Sequence, residues 1–145
     1  MIKFGSEPFL ECSSKGDKRF SAFYAKIKNR DNKTIEQIYQ EEKVFIINGK
    51  MTKNLTTKEA KGKYPINYVA VSRLYSELWD EYFSENLELL DVISKYNGFS
   101  DIFGKENQNN QAREIYRIWK MTTSDFKKLG NAVKHFKDTI YGMFK

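Results

Sequence analysis

The chain has 145 residues, 40% hydrophobic and 30% charged, which suits one domain over residues 1–145 and is too apolar for a disordered chain. A single cysteine, Cys12, and a single histidine, His135, exclude an intrachain disulfide and a cysteine-based zinc cluster and argue against an ordinary Ser-His-Asp triad, so chemistry without metal or cofactor is expected. Lys and Arg number 25 against 19 Asp and Glu, and the net charge of +6 favours an anionic partner, either nucleic acid or a phosphate-bearing ligand.

The apolar residues are rich in rings, with 2 Trp, 9 Tyr and 11 Phe, so a modest number of side chains can build a core and leave rings over for stacking. No stretch approaches the roughly 18 apolar residues of a membrane span, and Met1-Ile2-Lys3-Phe4-Gly5 has no signal-peptide core, so a cytoplasmic protein without membrane contact is expected. The bias to Lys, Asn, Ile, Phe and Tyr, with only 2 Pro, is that of an AT-rich genome such as many phages carry; it speaks to origin and not to mechanism.

In chain order, Ile2 to Phe4 reads as a short edge strand and residues 12–18 as a polar turn. Residues 19–28, with Phe20, Phe23, Tyr24 and Ile27, are rich in β-formers and predict a second strand. Thr34 and Gln37 predict a capping box for a helix that turns Ile35, Ile38 and Tyr39 to the sheet and fades near Val44. Val44-Phe45-Ile46-Ile47 before Asn48-Gly49 predicts a hairpin with residues 50–53, and residues 54–66 read as a polar, basic loop. Val71, Leu74, Tyr75, Leu78 and Tyr82 recur at helical spacing, and Leu87 to Tyr96 predicts a further helix stopped at Asn97-Gly98. After a loop over residues 99–109, Ala112, Ile115, Tyr116 and Trp119 mark the next helix. Phe126, Leu129, Val133, Phe136, Ile140 and Phe144 mark the last, capped by Thr123 or Ser124. The sum is an α+β fold, predominantly helical, with about five helices and a small sheet or hairpins in the N-terminal third.

Glu36, Gln40 and Lys43 stand at i, i+4 and i+7 of the first helix, so an acid, an amide and an ammonium project from one face. Such a stripe can grip and activate a polar ligand, and it is also what a solvated amphipathic helix carries. Two basic clusters accompany it. Lys58, Lys61 and Lys63 flank Gly62 in a predicted loop, where backbone amides and lysines suit a phosphate, and Lys127, Lys128, Lys134 and Lys137 lie off the apolar stripe of the last helix. Solvated charge is the alternative for both.

The run Phe20-Ser21-Ala22-Phe23-Tyr24, a turn, and then Thr34-Ile35-Glu36-Gln37-Ile38-Tyr39-Gln40-Glu41-Glu42-Lys43 resembles the opening signature of the NADAR superfamily. There a Phe-Ser-Asn-Phe segment precedes a helix bearing Glu, a Gln four residues on and a Lys three beyond. Lys61-Gly62-Lys63, the Glu88-Leu89-Leu90 stretch, Asp101-Ile102-Phe103-Gly104 and Asn109-Asn110 before Ala112-Arg113-Glu114-Ile115 are similar to later motifs of the family, so the likeness spans residues 19–119. Ala22 stands where the family carries Asn, Phe103 where it carries Trp, and the Asn48-Gly49 hairpin interrupts a longer helix.

The resemblance implies a small helical α+β domain that cleaves N-glycosidic bonds of ADP-ribosylated or ribosylated bases. Cleavage develops oxocarbenium character at the sugar, which a carboxylate stabilises while another group orients water. On this reading Glu36 lies nearest the sugar, Lys43 holds a phosphate or protonates the leaving base, and Asp101 is the second carboxyl group. Substrate contacts are assigned to Arg19, Phe20, Ser21, Gln40, Lys61, Lys63, Phe103, Asn110 and Arg113, with the rings stacking on the base. Core packing is the simpler role for Phe23, and a turn cap an equal one for Asp101. The partner is an ADP-ribosyl or other phosphate-bearing nucleotide, free or within DNA or RNA. A non-catalytic binder of nucleic acid or nucleotide, such as a phage counter-defence accessory, is the alternative.

Overall fold

The computed structural model describes residues 1–106, 108–123 and 139. Apart from Thr139, the last predicted helix, with its lysines, lies outside these residues. The middle of the main sheet is a strand near the far end of the described chain, β7 (Gly98–Asp101). It lies between β1 (Ile2–Gly5), paired antiparallel with Ile2 opposite Asp101, and β2 (Phe9–Glu11), paired parallel with Phe9 opposite Gly98. All four residues of β7 are buried. The Asn97-Gly98 helix stop and the loop predicted from residue 99 are therefore corrected. Both N–H groups of Asn97 and Gly98 donate to the Pro8 carbonyl, at 3.0 and 3.2 Å, and lead the chain into the sheet. A Cβ at Gly98 would strike the Phe9 ring and the Ser6 carbonyl, so only glycine permits this approach. The edge strand predicted at Ile2 is present as β1.

The long strand predicted over residues 19–28 is replaced by turns. The Asp17 side chain caps a 3₁₀ turn over Lys18–Phe20 by accepting from the Arg19 N–H, Phe20 enters the core, and the Ser21 carbonyl takes the N–H groups of Tyr24 and Ala25. Only β3 (Lys26–Ile27) remains extended, paired with β4 (Lys33–Thr34). Helix α1 (Ile35–Glu42) starts as expected, with Thr34 accepting from the Gln37 N–H at 3.1 Å, but the Gln37 side chain donates to Glu41 and leaves the capping box half made. Its first N–H groups are satisfied from the preceding turn, Ile35 by the Ala25 carbonyl and Glu36 by the Ala22 carbonyl.

The buried face of α1 packs mainly on helix α3 (Tyr68–Glu85) rather than on the three-stranded sheet, with the Tyr39 and Tyr75 rings edge to face at 4.8 Å. The predicted hairpin is present as β5 (Val44–Ile47) and β6 (Lys50–Lys53), with Val44 opposite Lys53. Asn48 and Gly49, at φ 50° and 78°, make the primed turn that matches strand twist. Residues read as loop include α2 (Thr57–Ala60), opened by a full capping box of Thr56 and Glu59. The rest of the described fold is α4 (Glu88–Ile93) and α5 (Gln111–Thr123), which packs on β7 and β1. Trp79, Phe83, Phe20, Phe99, Ile115 and Ile118 are fully buried between these elements. This is the expected α+β architecture, and no helix among the described residues is long and apolar enough to cross a membrane.

Helices α3 and α5 are also joined by charge. Arg117 donates to Asp80 at 2.7 Å and to Glu114 at 2.9 Å, the two carboxylates being about nine-tenths buried and the arginine about one-third exposed. Burial pushes the Asp80 carboxyl above its ordinary value although Arg117 pulls it down, so the cation only partly offsets desolvation. Replacing Arg117 with Met should leave two buried carboxylates facing one another and cost roughly 3 kcal/mol. Urea unfolding at pH 7 measures this, and the triple variant D80N/E114Q/R117M should recover most of the loss.

Candidate functional site

Of the stripe predicted on α1, Glu36 and Gln40 are bonded to each other, and Lys43 stands at the helix end. Gln40 Nε2 donates to Glu36 Oε1 at 2.7 Å, which orients the carboxylate. Lys43, at the C-cap, is half-buried with Nζ 4.4 Å from the centre of the Tyr39 ring and in the field of Glu36. Burial lowers the affinity of this ammonium for its proton, and Glu36 opposes that effect without cancelling it. Behind the stripe, Asn109 Nδ2 donates to the Tyr39 hydroxyl at 2.8 Å and to Ser72 Oγ at 3.1 Å, tying the loop before α5 to α1 and α3.

Asp101 reaches the same junction from inside. Its Oδ2 accepts from Gln111 Nε2 at 2.8 Å and its Oδ1 from the Phe103 N–H at 2.9 Å. Gln111 Oε1 in turn accepts from the Ala22 N–H at 2.6 Å, and the Ala22 carbonyl accepts from the Glu36 N–H at 3.0 Å. Asp101 is buried with both oxygens engaged by amides, so it is a positioning residue and not the second carboxyl group expected beside the sugar. Ala22, where the resemblance leads one to expect Asn, is itself buried and contributes both its backbone groups to this chain of bonds. Gly104 closes the turn through its N–H to the Asp101 carbonyl, and Asn110 and Ile2 occupy the space a Cβ would need.

The rings are distributed otherwise than expected. Phe20, expected to stack on a base, is fully buried against Phe83 and cannot reach a ligand. Phe23, read as core, is 59% exposed, and Phe103 is 60% exposed. Each is adjacent in sequence or by one hydrogen bond to the Ala22–Gln111–Asp101 link, which leads through the Ala22 carbonyl to the Glu36 N–H.

Among the other expected contacts, Ser21 is buried as a turn-former, and Arg19 pairs with Asp17 at 2.6 Å. Asn110 caps α5 by accepting from the Arg113 N–H. Arg113 leaves the group altogether: its guanidinium lies over Phe4 and lines an open cavity of about 430 Å³ with Tyr116, Arg117, Lys120 and Met121, none of which belongs to the α1 stripe. Lys61 and Lys63 are exposed beyond α2, and Lys63 Nζ donates to the Glu59 carbonyl.

Gln111 and the Tyr39 hydroxyl were not legible as site residues, because only the tertiary pairing of loops 89 positions apart brings Gln111 to Ala22. Asn109 carried a hint in its Asn-Asn neighbour. Cys12 is fully buried, and burial pushes its thiol well above its ordinary value, so it is a packing residue and not a nucleophile. Among the described residues no group of acids, cysteine or histidine is arranged to hold a metal ion. Comparison with protein-family models, curated proteins and solved structures gives no match to this chain.

Gln111→Leu should strand the buried Ala22 N–H and one Asp101 oxygen, costing about 2–4 kcal/mol for two unmet partners. Hydrogen exchange should show the Ala22 and Glu36 amides losing protection beyond what the global loss of stability explains.

Proposed function

We propose that this chain is a remote member of the NADAR superfamily and an N-glycosidase that hydrolyses the bond between ribose and a nucleobase in an ADP-ribosylated or ribosylated substrate, acting in the cytoplasm. The observation that carries the reading is the hydrogen-bonded Glu36–Gln40 pair on α1 with Lys43 at the helix C-cap in the field of Glu36, together with the exposed rings of Phe23 and Phe103 on the segments bonded to the start of that helix. Glu36 Oε2 takes a proton from water as its oxygen bonds to the sugar carbon; the C–N bond breaks, its electron pair leaves with the base, and the Lys43 ammonium returns a proton to that base. The same carboxylate stabilises positive charge growing on the sugar. Gln40 keeps Glu36 oriented, and the lowered proton affinity of Lys43 suits it to give a proton up. Phe23 and Phe103 offer flat faces to the base, each stack contributing about 1–3 kcal/mol.

Because Asp101 is engaged elsewhere, this chemistry rests on one carboxylate and one ammonium. The burial of Ala22 in place of a polar side chain favours the second reading, a binder of the same ligands without turnover.

Incubation with ADP-ribosylated guanine DNA and with free ribosylated nucleotides should release base or ADP-ribose, and Glu36→Gln should slow release by roughly 10²–10⁴-fold. Product from no substrate, or equal turnover by the variant, overturns the hydrolase assignment. Retained ligand binding with no turnover selects the binder.

Lys43 acts as the protonated form, and its folded-state affinity for the proton is lowered from the ordinary value of 10.5. The rate should therefore fall as pH rises, with a midpoint below 10.5. A pH–rate profile from 6 to 11 reads this limb, and Lys43→Met should abolish it along with most of the activity.

A further inference from the structure

We propose that residues 44–69 form an arm that binds the phosphate backbone of nucleic acid. This segment comprises the β5–β6 hairpin, α2 and the return to α3. It holds five lysines, Lys50, Lys53, Lys58, Lys61 and Lys63, against one acid, Glu59, a net +4 within a chain whose total is +6. All five are exposed. Their internal partners are weak: Lys53 meets Glu42 at 3.9 Å with both side chains about half exposed, and Lys63 donates to a carbonyl.

The arm also concentrates exposed apolar surface. Ile46 and Met51 face each other across the hairpin and are 48% and 71% exposed, and Tyr64, Ile66, Tyr68 and Val69 are all exposed on the return. A patch of this kind marks an interaction surface. Five exposed lysines followed by the exposed Tyr64 and Tyr68 fit a partner with a periodic negative charge and stacking faces. They do not fit a bilayer, which would draw on a continuous apolar face with its cations at the margin.

The arm is held at the stripe. It begins at the residue after Lys43, and the Asn67 side chain clamps its base by accepting from the Val44 N–H at 2.9 Å and donating to the Glu42 carbonyl at 2.8 Å. The Ile66 N–H donates to the Val44 carbonyl beside it. The base of the arm is thus fixed at the end of α1. The inference holds whether or not Glu36 cleaves a bond.

Fluorescence anisotropy with labelled single-stranded and duplex oligonucleotides of mixed sequence, over 25–300 mM salt, tests it. Wild type should bind at least one of them with affinity that falls steeply with salt. K50Q/K53Q/K58Q should bind at least about tenfold more weakly at low salt and flatten the log–log salt slope by about 2–3. K15Q/K26Q/K28Q, three exposed lysines outside the arm, should bind within twofold of wild type. Absence of binding at 25 mM salt, equal loss in the two triple variants, or sedimentation with phosphatidylserine vesicles but no oligonucleotide binding each overturns the proposal. None of these outcomes touches the turnover measured with Glu36→Gln.

Discussion

The side-chain amide of Gln111 is buried, and both of its ends are used: the oxygen by the backbone of Ala22, the nitrogen by the carboxylate of Asp101. An amide is suited to that place because it offers a donor and an acceptor about 2 Å apart without a charge to desolvate. Three segments meet there: the turn after Phe20, the end of β7 and the first turn of α5. The same Ala22 passes the constraint on to α1 through its carbonyl. A carboxylate in place of Gln111 would oppose Asp101, and an aliphatic chain would leave both partners unmet. One uncharged side chain thus helps to fix the start of α1, where Glu36 stands, alongside the Thr34 cap and the packing of α1 on α3.

Around this junction the chain separates its aromatic residues by role. Phe20, three residues before Phe23, is sealed against Phe83, while Phe23 and Phe103 remain in water. Keeping two phenyl rings exposed forgoes roughly 1.5–3 kcal/mol apiece of burial. The polar side of the site has a matching tension: Lys43 is drawn onto the Tyr39 ring and partly out of water, and Tyr39 is itself held by Asn109. A half-desolvated cation in the field of Glu36 is an arrangement that a ligand with a negative part can relieve.

The elements legible in the sequence are those whose cause is local. Thr34 as a cap, the apolar spacing of α3 and the Asn48-Gly49 turn each carry their signal within a few residues, and each is present. The capping box of Thr56 and Glu59 was equally local, but the lysines around it disguised a single helical turn as loop. Residues 19–28 failed for a different reason. Their β-forming composition reflects one ring needed in the core and two exposed, and no neighbouring strand was available to pair with a longer run. Likewise Gly98-Phe99-Ser100-Asp101 has no alternation to mark a strand, because a middle strand covered by its neighbours has no solvent face to alternate with. At the site, the spacing of Glu36, Gln40 and Lys43 was readable from helix geometry. The inward turn of Asp101 was not, since its partner Gln111 was unremarkable until the loops closed.

The position of β7 has a consequence for the order of events in folding. Both of its partners lie in the first eleven residues, and Ser100 is 89 positions from Glu11, whose carboxylate it contacts at 2.8 Å. Closing a loop of that length costs about 4 kcal/mol in chain entropy before any contact is made, whereas the β5–β6 hairpin closes over two residues. The hairpin and the α1–α3 pair can therefore condense while the chain is still being synthesised, but the sheet cannot exist until residue 101 has cleared the ribosome. Until then β1 and β2 lack the strand that they pair with in the folded protein.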